Sequence, residues 1–299
     1  MTVNQVKDKK INKKRLNGLT GSEWVQWSKS IWRFTEPVTE NYGHPAIFPE
    51  CLAERVIRSF SKQLDFILDP MVGTGTTVHV ARGLNRNAIG LEISPQWVDV
   101  ARKRLQNELY LPKTVPITAK GRTSTLNKGE TEEIPELRTA KTFEIIQDDA
   151  KRLLEHIEPE SVDLCFTSPP YWTGLHGVKG RYTGQTQKEV KQYSELPEDL
   201  GNVSDYPKFL ESLKECYKPV LEALKPFAYF VSVIQDTRRG STVIPLHMHF
   251  YELMTSLGYQ YQDLIIWEHP TYTTRPLGYP TTFVISRVHD YLMVFRKAV

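Results

Sequence analysis

The six residues Thr167–Trp172, of sequence TSPPYW, combine groups that could bind and orient a flat ring carrying an amino group. They follow the apolar run 162–166, whose length and composition predict a buried strand. Two consecutive prolines have no N–H to donate, so neither a strand nor a helix can continue through them, and a rigid extended loop is predicted. Loops at the carboxyl ends of strands form ligand sites in open α/β sheets. The alternative is an ordinary Pro-Pro turn that ends the strand.

This loop offers two hydrogen-bond acceptors and two aromatic faces. The Ser168 hydroxyl and the Pro169 carbonyl can each accept one hydrogen of an amino group. The rings of Tyr171 and Trp172 are surfaces on which a base can stack. The candidate catalytic residues are therefore Ser168, Pro169, Pro170 and Tyr171.

A second stretch, residues 66–77, has the order strand, glycine turn, helix. Gly73 and Gly75 permit positive φ and let the backbone approach a ligand closely. The helix that follows presents free N–H groups at its N-terminus. Two of the three glycines of a dinucleotide fingerprint are present, so pyrophosphate binding is not favoured. The stretch predicts a nucleotide-type βαβ unit.

Two acids stand at the ends of the next two predicted strands. Glu92 comes 23 residues after Asp69, about one βαβ step, and its carboxylate can accept both hydroxyls of a ribose. The alternative for Glu92 is a surface acid at a strand end. Asp149 can accept the amino group of an adenine or cap the helix that starts at Ala150, and these two roles are compatible.

Strands alternate with helices along the chain, which predicts an α/β fold with one doubly wound, mostly parallel sheet. An apolar stripe predicts a helix opened by Pro49 that runs to Phe60, and Trp24, Trp27 and Ile31 could share one face of an earlier helix. The predicted strands are, approximately, residues 65–69, 88–93, 143–147, 162–167, 228–234, 260–267 and 290–296.

Three segments lie outside this pattern. Residues 1–15 carry six cations and one acid, and we expect residues 1–20 to form a flexible basic arm that is either a nucleic-acid contact or a solvated tail. Residues 110–140 and 173–204 are predicted to be inserted loops of a single domain, 21–299. Their cations suit a nucleic-acid strand, with plain surface loops as the alternative. The candidate nucleic-acid contacts are Lys120, Arg122, Trp172, Lys179, Arg181 and Lys188.

The overall composition is that of a soluble globular protein, with 40% hydrophobic and 24% charged residues and a net charge of +3. The cysteines, Cys51, Cys165 and Cys216, form no CxxC pair, so neither a metal site nor a disulfide is indicated, and reduced thiols in a cytoplasmic protein are expected. No signal peptide and no apolar run of membrane-spanning length is present, so no membrane partner is expected.

Together these motifs resemble those of the amino-group DNA methyltransferases, which methylate N4 of cytosine or N6 of adenine. Residues 69–77 (DPMVGTGTT) are similar to the family's S-adenosylmethionine loop D-P-F-x-G-S-G-T-T, and Thr167–Trp172 resembles its catalytic T/N/D-S/P-P-P-Y/F/W loop. The segments 44–49 (HPAIFP), 265–267 (IIW) and 288–297 (VHDYLMVFRK) also look familial. The resemblance covers roughly residues 22–110 and 142–299.

The resemblance implies the Rossmann-like, seven-stranded methyltransferase fold with an antiparallel last strand. It also implies S-adenosylmethionine (SAM) as methyl donor and a base flipped out of double-stranded DNA as acceptor. By position, the residues that would line the cofactor are His44, Ala46, Phe48, Asp69, Gly73, Thr74, Gly75, Thr76, Glu92, Asp149 and Thr167. A restriction-modification role is expected, and the resemblance leaves open a cognate restriction endonuclease and a homodimer as partners.

Serine at position 168 favours N4 of cytosine, because Asp or Asn there is more usual in N6-adenine enzymes of the family. N6-adenine remains the alternative, followed by an RNA or protein amino-methyltransferase and by a non-catalytic nucleic-acid-binding scaffold. A C5-cytosine enzyme would need a nucleophilic thiol, typically after a proline, and no cysteine here follows a proline.

The chain departs from the family pattern in three respects. The cofactor half precedes the catalytic half, an order that circular permutation of a shared fold allows. No long C-terminal target-recognition domain is found, so the loops 110–140 and 173–204, or a partner, would read the DNA sequence. Phe227 and Ala228 stand where related chains often have a Gly-Gly turn.

Overall fold

The computed structural model describes residues 17–34, 42–44, 47–107, 110, 139–172, 194, 196–239, 242–269, 280–281 and 284–298. The strands are β1 Ile31–Arg33, β2 Phe66–Asp69, β3 Asn87–Glu92, β4 Phe143–Gln147, β5 Val162–Thr167, β6 Leu224–Ile234, β7 Thr237–Arg239, β8 Thr242–Ile244, β9 Tyr259–Glu268 and β10 His289–Lys297. The helices are α1 Gly21–Trp27, α2 Glu50–Phe60, α3 Thr76–Gly83, α4 Pro95–Asn107, α5 Tyr206–Ala223 and α6 Leu246–Leu257, with short 3-10 helices at Ala150–Glu155 and Leu200–Asn202.

The main sheet explains why a site forms at its centre. Within the described residues it holds eight strands in the order β1-β9-β10-β6-β5-β2-β3-β4. Neighbouring strands in the part of the sheet formed by β6, β5, β2, β3 and β4 are parallel. Strand β10 is antiparallel to both β6 and β9. This arrangement confirms the predicted α/β methyltransferase fold. From β2 the chain builds outward through β3 and β4 and then places β5 and β6 on the other side. Such a reversal leaves a crevice at the carboxyl ends of the strands.

Helices cover both faces of the sheet, and each face has its own apolar core. Helices α2, α3 and α4 pack on one face, where the stripe predicted for α2 is buried: Leu52, Val56 and Ile57 have 0% exposure. Burying each such side chain contributes about 1.5–3 kcal/mol. Helices α5 and α6 cover the other face, with Tyr217 and Phe250 fully buried. Among the described helices, none combines the length and the apolar character that a membrane span requires.

Short polar signals set where helices begin. The Thr20 hydroxyl accepts the Glu23 N–H at 3.2 Å, and the Glu23 carboxylate accepts the Thr20 N–H at 2.7 Å, a capping box that starts α1. The Asp205 carboxylate accepts the Lys208 N–H at 2.9 Å and starts α5, which positions the turn described below.

The N-terminal aromatic segment differs from the prediction. Helix α1 ends at Trp27, and Ile31 begins an eighth strand, β1, instead of sharing a helix face with Trp24 and Trp27. Strand β1 pairs parallel with β9 at the edge of the sheet. Trp32 accounts for the break: its ring is 2% exposed, and its indole N–H donates to the carbonyls of Trp27 and Lys29 at 3.1 and 2.7 Å. The chain must therefore turn between the end of α1 at Trp27 and Trp32.

Strand β6 begins earlier than predicted because it contains a bulge. Val162 and Leu164 of β5 pair with Leu224 and Tyr229 of β6, so the residues between the latter two protrude from the ladder. Phe227 lies in this bulge with a φ of 67°, the left-handed region that favours glycine. The bulge thus lies where the resemblance to the family led us to expect a Gly-Gly turn. The β7–β8 hairpin that follows β6 was not predicted either.

Phe227→Gly is expected to be more stable than Phe227→Ala by about 1 kcal/mol, because a side chain in the left-handed region costs roughly 1–2 kcal/mol and glycine's freedom in the unfolded chain offsets part of that. Both variants lose the contact with the Arg296 guanidinium, which lies 4.7 Å from the Phe227 ring centroid. The difference between their free energies of unfolding therefore measures the contribution of the backbone conformation. Urea unfolding followed by circular dichroism measures it. Ala228→Gly, at a neighbouring negative φ, should lose stability. Equal stability of the two Phe227 variants would contradict the strain.

Candidate active site

An open cleft lies at the carboxyl ends of the central strands, where the strand order reverses. Its volume is about 930 Å³, including the space at its mouth. The predicted site residues in its lining are His44, Phe48, Gly73, Thr74, Thr76, Glu92, Asp149, Ser168, Pro169 and Pro170. Residues of both predicted motifs therefore share one cavity.

The turn between β2 and α3 depends on two left-handed glycines. Gly73 and Gly75 have φ values of 53° and 84°. A Cβ on Gly73 would lie 3.4 Å from His44 Nε2, and one on Gly75 would lie 3.0 Å from the Ala101 Cβ. Gly75 is also the N-cap of α3, so the helix N-terminus opens at the cleft. Main-chain groups, rather than large side chains, form this wall.

Asp69 holds this turn from behind and does not line the cleft. It is 2% exposed, and its carboxylate accepts the Met71 N–H at 3.1 Å and the Thr77 hydroxyl at 2.6 Å. Burial raises the pKa of Asp69 to about 6, and the hydrogen bonds that it accepts act in the opposite direction. Gly75 and Thr167 are likewise absent from the lining, and Thr167 is fully buried.

Glu92 connects the glycine turn to the end of β3. Its carboxylate oxygens accept the N–H groups of Gly73 and Ser94, both at 2.9 Å. Burial raises the pKa of Glu92 to about 7, the two hydrogen bonds lower it, and the charges of Asp199 and Asp69 add to the rise. A carboxylate has about four acceptor positions, so Glu92 keeps acceptor capacity for the hydroxyls of a ligand.

The remaining walls are another acid and two aromatic pairs. Asp149 caps the 3-10 helix by accepting the Lys151 N–H at 3.0 Å through one oxygen, which confirms the predicted cap. His44 contacts Trp97 edge to face, with 4.6 Å between ring centroids. The Phe48 ring packs against the ring of Phe166 near the end of β5, with 5.0 Å between ring centroids. These ring contacts support two aromatic side chains of the lining, and the His44 ring lies beside the glycine turn.

Ser168 directly follows β5 and faces the same cleft. Its Oγ lies 3.4 Å from the Val233 carbonyl oxygen and 3.4 Å from the Tyr171 hydroxyl. A hydroxyl has one proton and two acceptor positions, so donation to Val233 leaves Ser168 able to accept from an amino group. Pro169 and Pro170 line the cleft beside it, whereas Tyr171 is half-buried and outside the lining.

Trp172 differs from the expectation of an exposed stacking face. It is 3% exposed and packs on Tyr206 of α5, with 4.6 Å between ring centroids. The apolar ring is buried because the chain passes directly beneath the start of α5, so Trp172 anchors the Ser-Pro-Pro loop to the core. Six predicted site residues lie outside the described residues. They are Ala46, predicted to contact the cofactor, and the predicted nucleic-acid contacts Lys120, Arg122, Lys179, Arg181 and Lys188.

A family model for N6/N4 DNA methylases matches residues 1–103 and 162–298. This chain belongs to the DNA methylase family. Orphan methyltransferase M.BamHII of Bacillus amyloliquefaciens is 49% identical over 72 residues, 24% of this chain and 27% of that protein. Type II methyltransferase M.BglII of Bacillus subtilis is 35% identical over 113 residues, 35% of this chain and 31% of that protein. The matches thus span about a quarter to a third of these curated relatives.

Among solved structures, a SAM-dependent methyltransferase of Methanosarcina mazei aligns with 82% of this chain and 97% of its own, at 13% identity and a TM-score of 0.46.

The turn before α5 adds site residues of the methylase that the sequence placed in an inserted loop. Glu198, Asp199 and Leu200 line the cleft. Asp199 accepts the Ser194 hydroxyl at 2.6 Å and the Gly201 N–H at 2.8 Å, which caps the second 3-10 helix. An acid before Leu-Gly-Asn is a capping pattern that could have indicated this ordered turn. Other lining residues that were not singled out are Ile47, Pro70, Met71, Val72, Ile93, Trp97, Asp148, Ala150, Lys151 and Cys216.

The lining of the methylase cleft is acidic. Its carboxylates are Glu92, Asp148, Asp149, Glu198 and Asp199. Among the described residues of the lining, Lys151 is the one Lys or Arg, and its ammonium pairs with Glu215 at 2.7 Å. Such a field repels phosphates and favours a neutral or cationic ligand. These hydrogen-bond acceptors fit SAM, which has ribose hydroxyls and an adenine amino group that can donate, and a positive sulfonium.

A buried polar network lies at the same sheet edge, on the β6 side of the Ser-Pro-Pro loop. The Gln235 amide donates to Asp290 Oδ1 at 2.6 Å, and Asp290 Oδ2 lies 2.9 Å from His269 Nε2. Asp290 has 0% exposure. Because β6 and β9 end here and β10 begins here, the network ties three strands together next to Ser168. The network therefore supports the sheet edge beside the Ser-Pro-Pro loop.

Proposed function

We propose that this DNA methylase transfers the methyl group of SAM to the exocyclic N4 amino group of a cytosine flipped out of a specific double-stranded DNA sequence. The observation that carries the proposal is the shared cleft: Ser168 and Pro169 of one motif line the cavity that also contains Gly73 of the other motif and Glu92 at the end of β3. A donor held by the second motif would lie beside an acceptor held by the first. Family membership supports the same reaction class.

The cofactor is proposed to lie along the carboxyl ends of β2, β3 and β4. Glu92 would accept ribose hydroxyls and Asp149 the adenine amino group, while the glycine turn, with His44 and Phe48, would hold the methionine part. SAM supplies a methyl group on a positively charged sulfur, which makes that methyl electrophilic. The acidic lining supports binding of this cation.

The amino nitrogen is a weak nucleophile, because its lone pair is delocalised into the ring. The Ser-Pro-Pro loop is proposed to make that nitrogen more reactive. The Ser168 hydroxyl and the Pro169 carbonyl would each accept one amino hydrogen, which favours a pyramidal nitrogen with its lone pair directed at the methyl group. Tyr171 would stack on the base. In-line positioning of this kind contributes on the order of 7–11 kcal/mol at best.

No covalent bond between enzyme and base is required by this chemistry. Burial raises the pKa of the Cys216 thiol to about 12 and that of the Cys165 thiol well above its usual value, so neither is a poised nucleophile. We also propose that Lys120, Arg122 and Lys179, together with the basic arm 1–20, contact the DNA. Residues 21–299 are proposed to form a single methyltransferase domain.

The relatives named above as type II and orphan methyltransferases support a role in DNA modification. We propose that this chain serves a restriction-modification system, with an endonuclease of the same sequence specificity as its counterpart. N6-adenine methylation is the second candidate, because the same family model covers both base types.

The test uses labelled SAM and unmethylated genomic DNA, with digestion to nucleosides and mass spectrometry of the labelled base. N4-methylcytosine is the expected product. N6-methyladenine would overturn the choice of base and keep the cofactor site. If the DNA carries no label although the protein still binds SAM, DNA would be overturned as the substrate. That result would favour RNA or a non-catalytic scaffold.

A further inference from the structure

Two carboxylates of the cleft, the partly buried Glu92 and the buried Asp199, have neutral partners. Glu92 accepts backbone N–H groups, and Asp199, at 7% exposure, accepts a hydroxyl and a backbone N–H. Within the part of the chain that the structure describes, neither carboxylate forms an ion pair. A charge in such a place is stabilised by a ligand that brings the opposite charge.

The two carboxylates also lie close enough to influence each other. The Asp199 charge is among the causes that raise the pKa of Glu92. Coulomb interactions in a partly buried cleft are several times stronger than in bulk water. A cation that enters between β3 and the turn before α5 therefore relieves the repulsion of like charges as well as interacting with each carboxylate.

We propose that Asp199 recognises the positive charge of the methyl donor and so strengthens binding of SAM relative to its neutral thioether product, S-adenosylhomocysteine. The inference rests on the proposed function, because it takes SAM as the ligand. The two ligands share adenine, ribose and amino-acid parts and differ in one methyl group and one positive charge. Their affinity ratio therefore reports the field at the sulfur atom.

Isothermal titration of both ligands against the full-length wild type and Asp199→Asn tests the proposal. We expect the variant to bind SAM about tenfold more weakly and S-adenosylhomocysteine less than about threefold more weakly. An asparagine can still accept the Gly201 N–H and donate to the Ser194 hydroxyl, so the turn keeps its hydrogen bonds. Sinefungin, whose protonated amine replaces the sulfonium, should follow SAM. Asp199→Glu, which keeps the charge, should keep the wild-type ratio.

Two further variants separate charge from structure. Ser194→Ala removes a donor to Asp199 without changing any charge, so it should weaken both ligands by the same factor. Glu198→Gln removes an exposed acid of the lining, whose charge is screened by salt, and should change the ratio less than about twofold. An unchanged ratio in Asp199→Asn would overturn this inference alone. A wild-type protein that binds no SAM would overturn the proposed cofactor and the inference with it.

Discussion

Ser168→Ala is expected to lower turnover at least tenfold and to leave the dissociation constant of SAM within about twofold. The substitution removes one of the two acceptors proposed for the amino hydrogens, which act on the acceptor nitrogen and not on the cofactor. It removes little else, because the Oγ contacts with Val233 and Tyr171 are long, at 3.4 Å each. A loss confined to the rate constant is the signature of a group that acts at the reacting atom.

The measurement is a single-turnover reaction with tritiated SAM and unmethylated DNA, together with titration of SAM alone. Ser161→Ala is a matched control, because Ser161 precedes β5 as Ser168 follows it, and its hydroxyl donates to the Glu158 carbonyl at 2.6 Å. The control should react at the wild-type rate. Near-normal turnover in Ser168→Ala would refute the proposed role.

The convergence of distant motifs was predictable because the carboxyl ends of parallel strands meet at one edge of a sheet. Apolar runs located β2, β3, β4 and β5, and the residues at or just after the carboxyl end of each strand then had a defined place. Glu92, Asp149 and Ser168 do line one cleft. The caps at Asp149 and Asp205 were predictable for a different reason, since a side chain that bonds the first turn of its own helix needs no distant partner.

What escaped prediction depends on contacts between segments far apart in sequence. Trp172 is the last residue of a loop motif, and its burial is decided by its packing on Tyr206 of α5. Asp199 reaches the cleft because a turn before α5 folds back over it. Asp69 sits within the motif that implied a cofactor contact, but its carboxylate bonds the local backbone and Thr77 instead. Strand β1 is short and exists because β9 offers a free edge.

Glu92→Ala is expected to weaken SAM binding at least 100-fold, which corresponds to about 2.7 kcal/mol. Hydrogen bonds to a charged acceptor contribute about 1.5–3 kcal/mol each, and the alanine loses those proposed to the ribose. It also releases the Gly73 N–H, which the carboxylate accepts at 2.9 Å, so the glycine turn loses a support. Titration calorimetry checks the affinity. Glu144→Ala, an exposed glutamate on the adjacent strand β4, should bind SAM normally.

The same carboxylate predicts how SAM affinity depends on pH. The pKa of Glu92 in the free protein is raised to about 7, so at pH 6 the group is mostly protonated, and a cationic ligand favours its ionised form. Binding then releases a proton, and affinity should rise about eightfold from pH 6.0 to 7.5. The acids that act on Glu92 are Asp199 and Asp69, and Asp69 has a pKa of about 6.

Glu92→Gln isolates the contribution of Glu92, because the amide is neutral throughout this range while Asp69 and Asp199 are unchanged. The variant should bind SAM more weakly than the wild type at pH 7.5, since its amide N–H₂ faces a backbone donor at Gly73 or Ser94. Its affinity should also vary little between pH 6.0 and 7.5. A slope as steep as that of the wild type would show that another group releases the proton. An affinity that falls with rising pH would show that protonated Glu92 is the binding form.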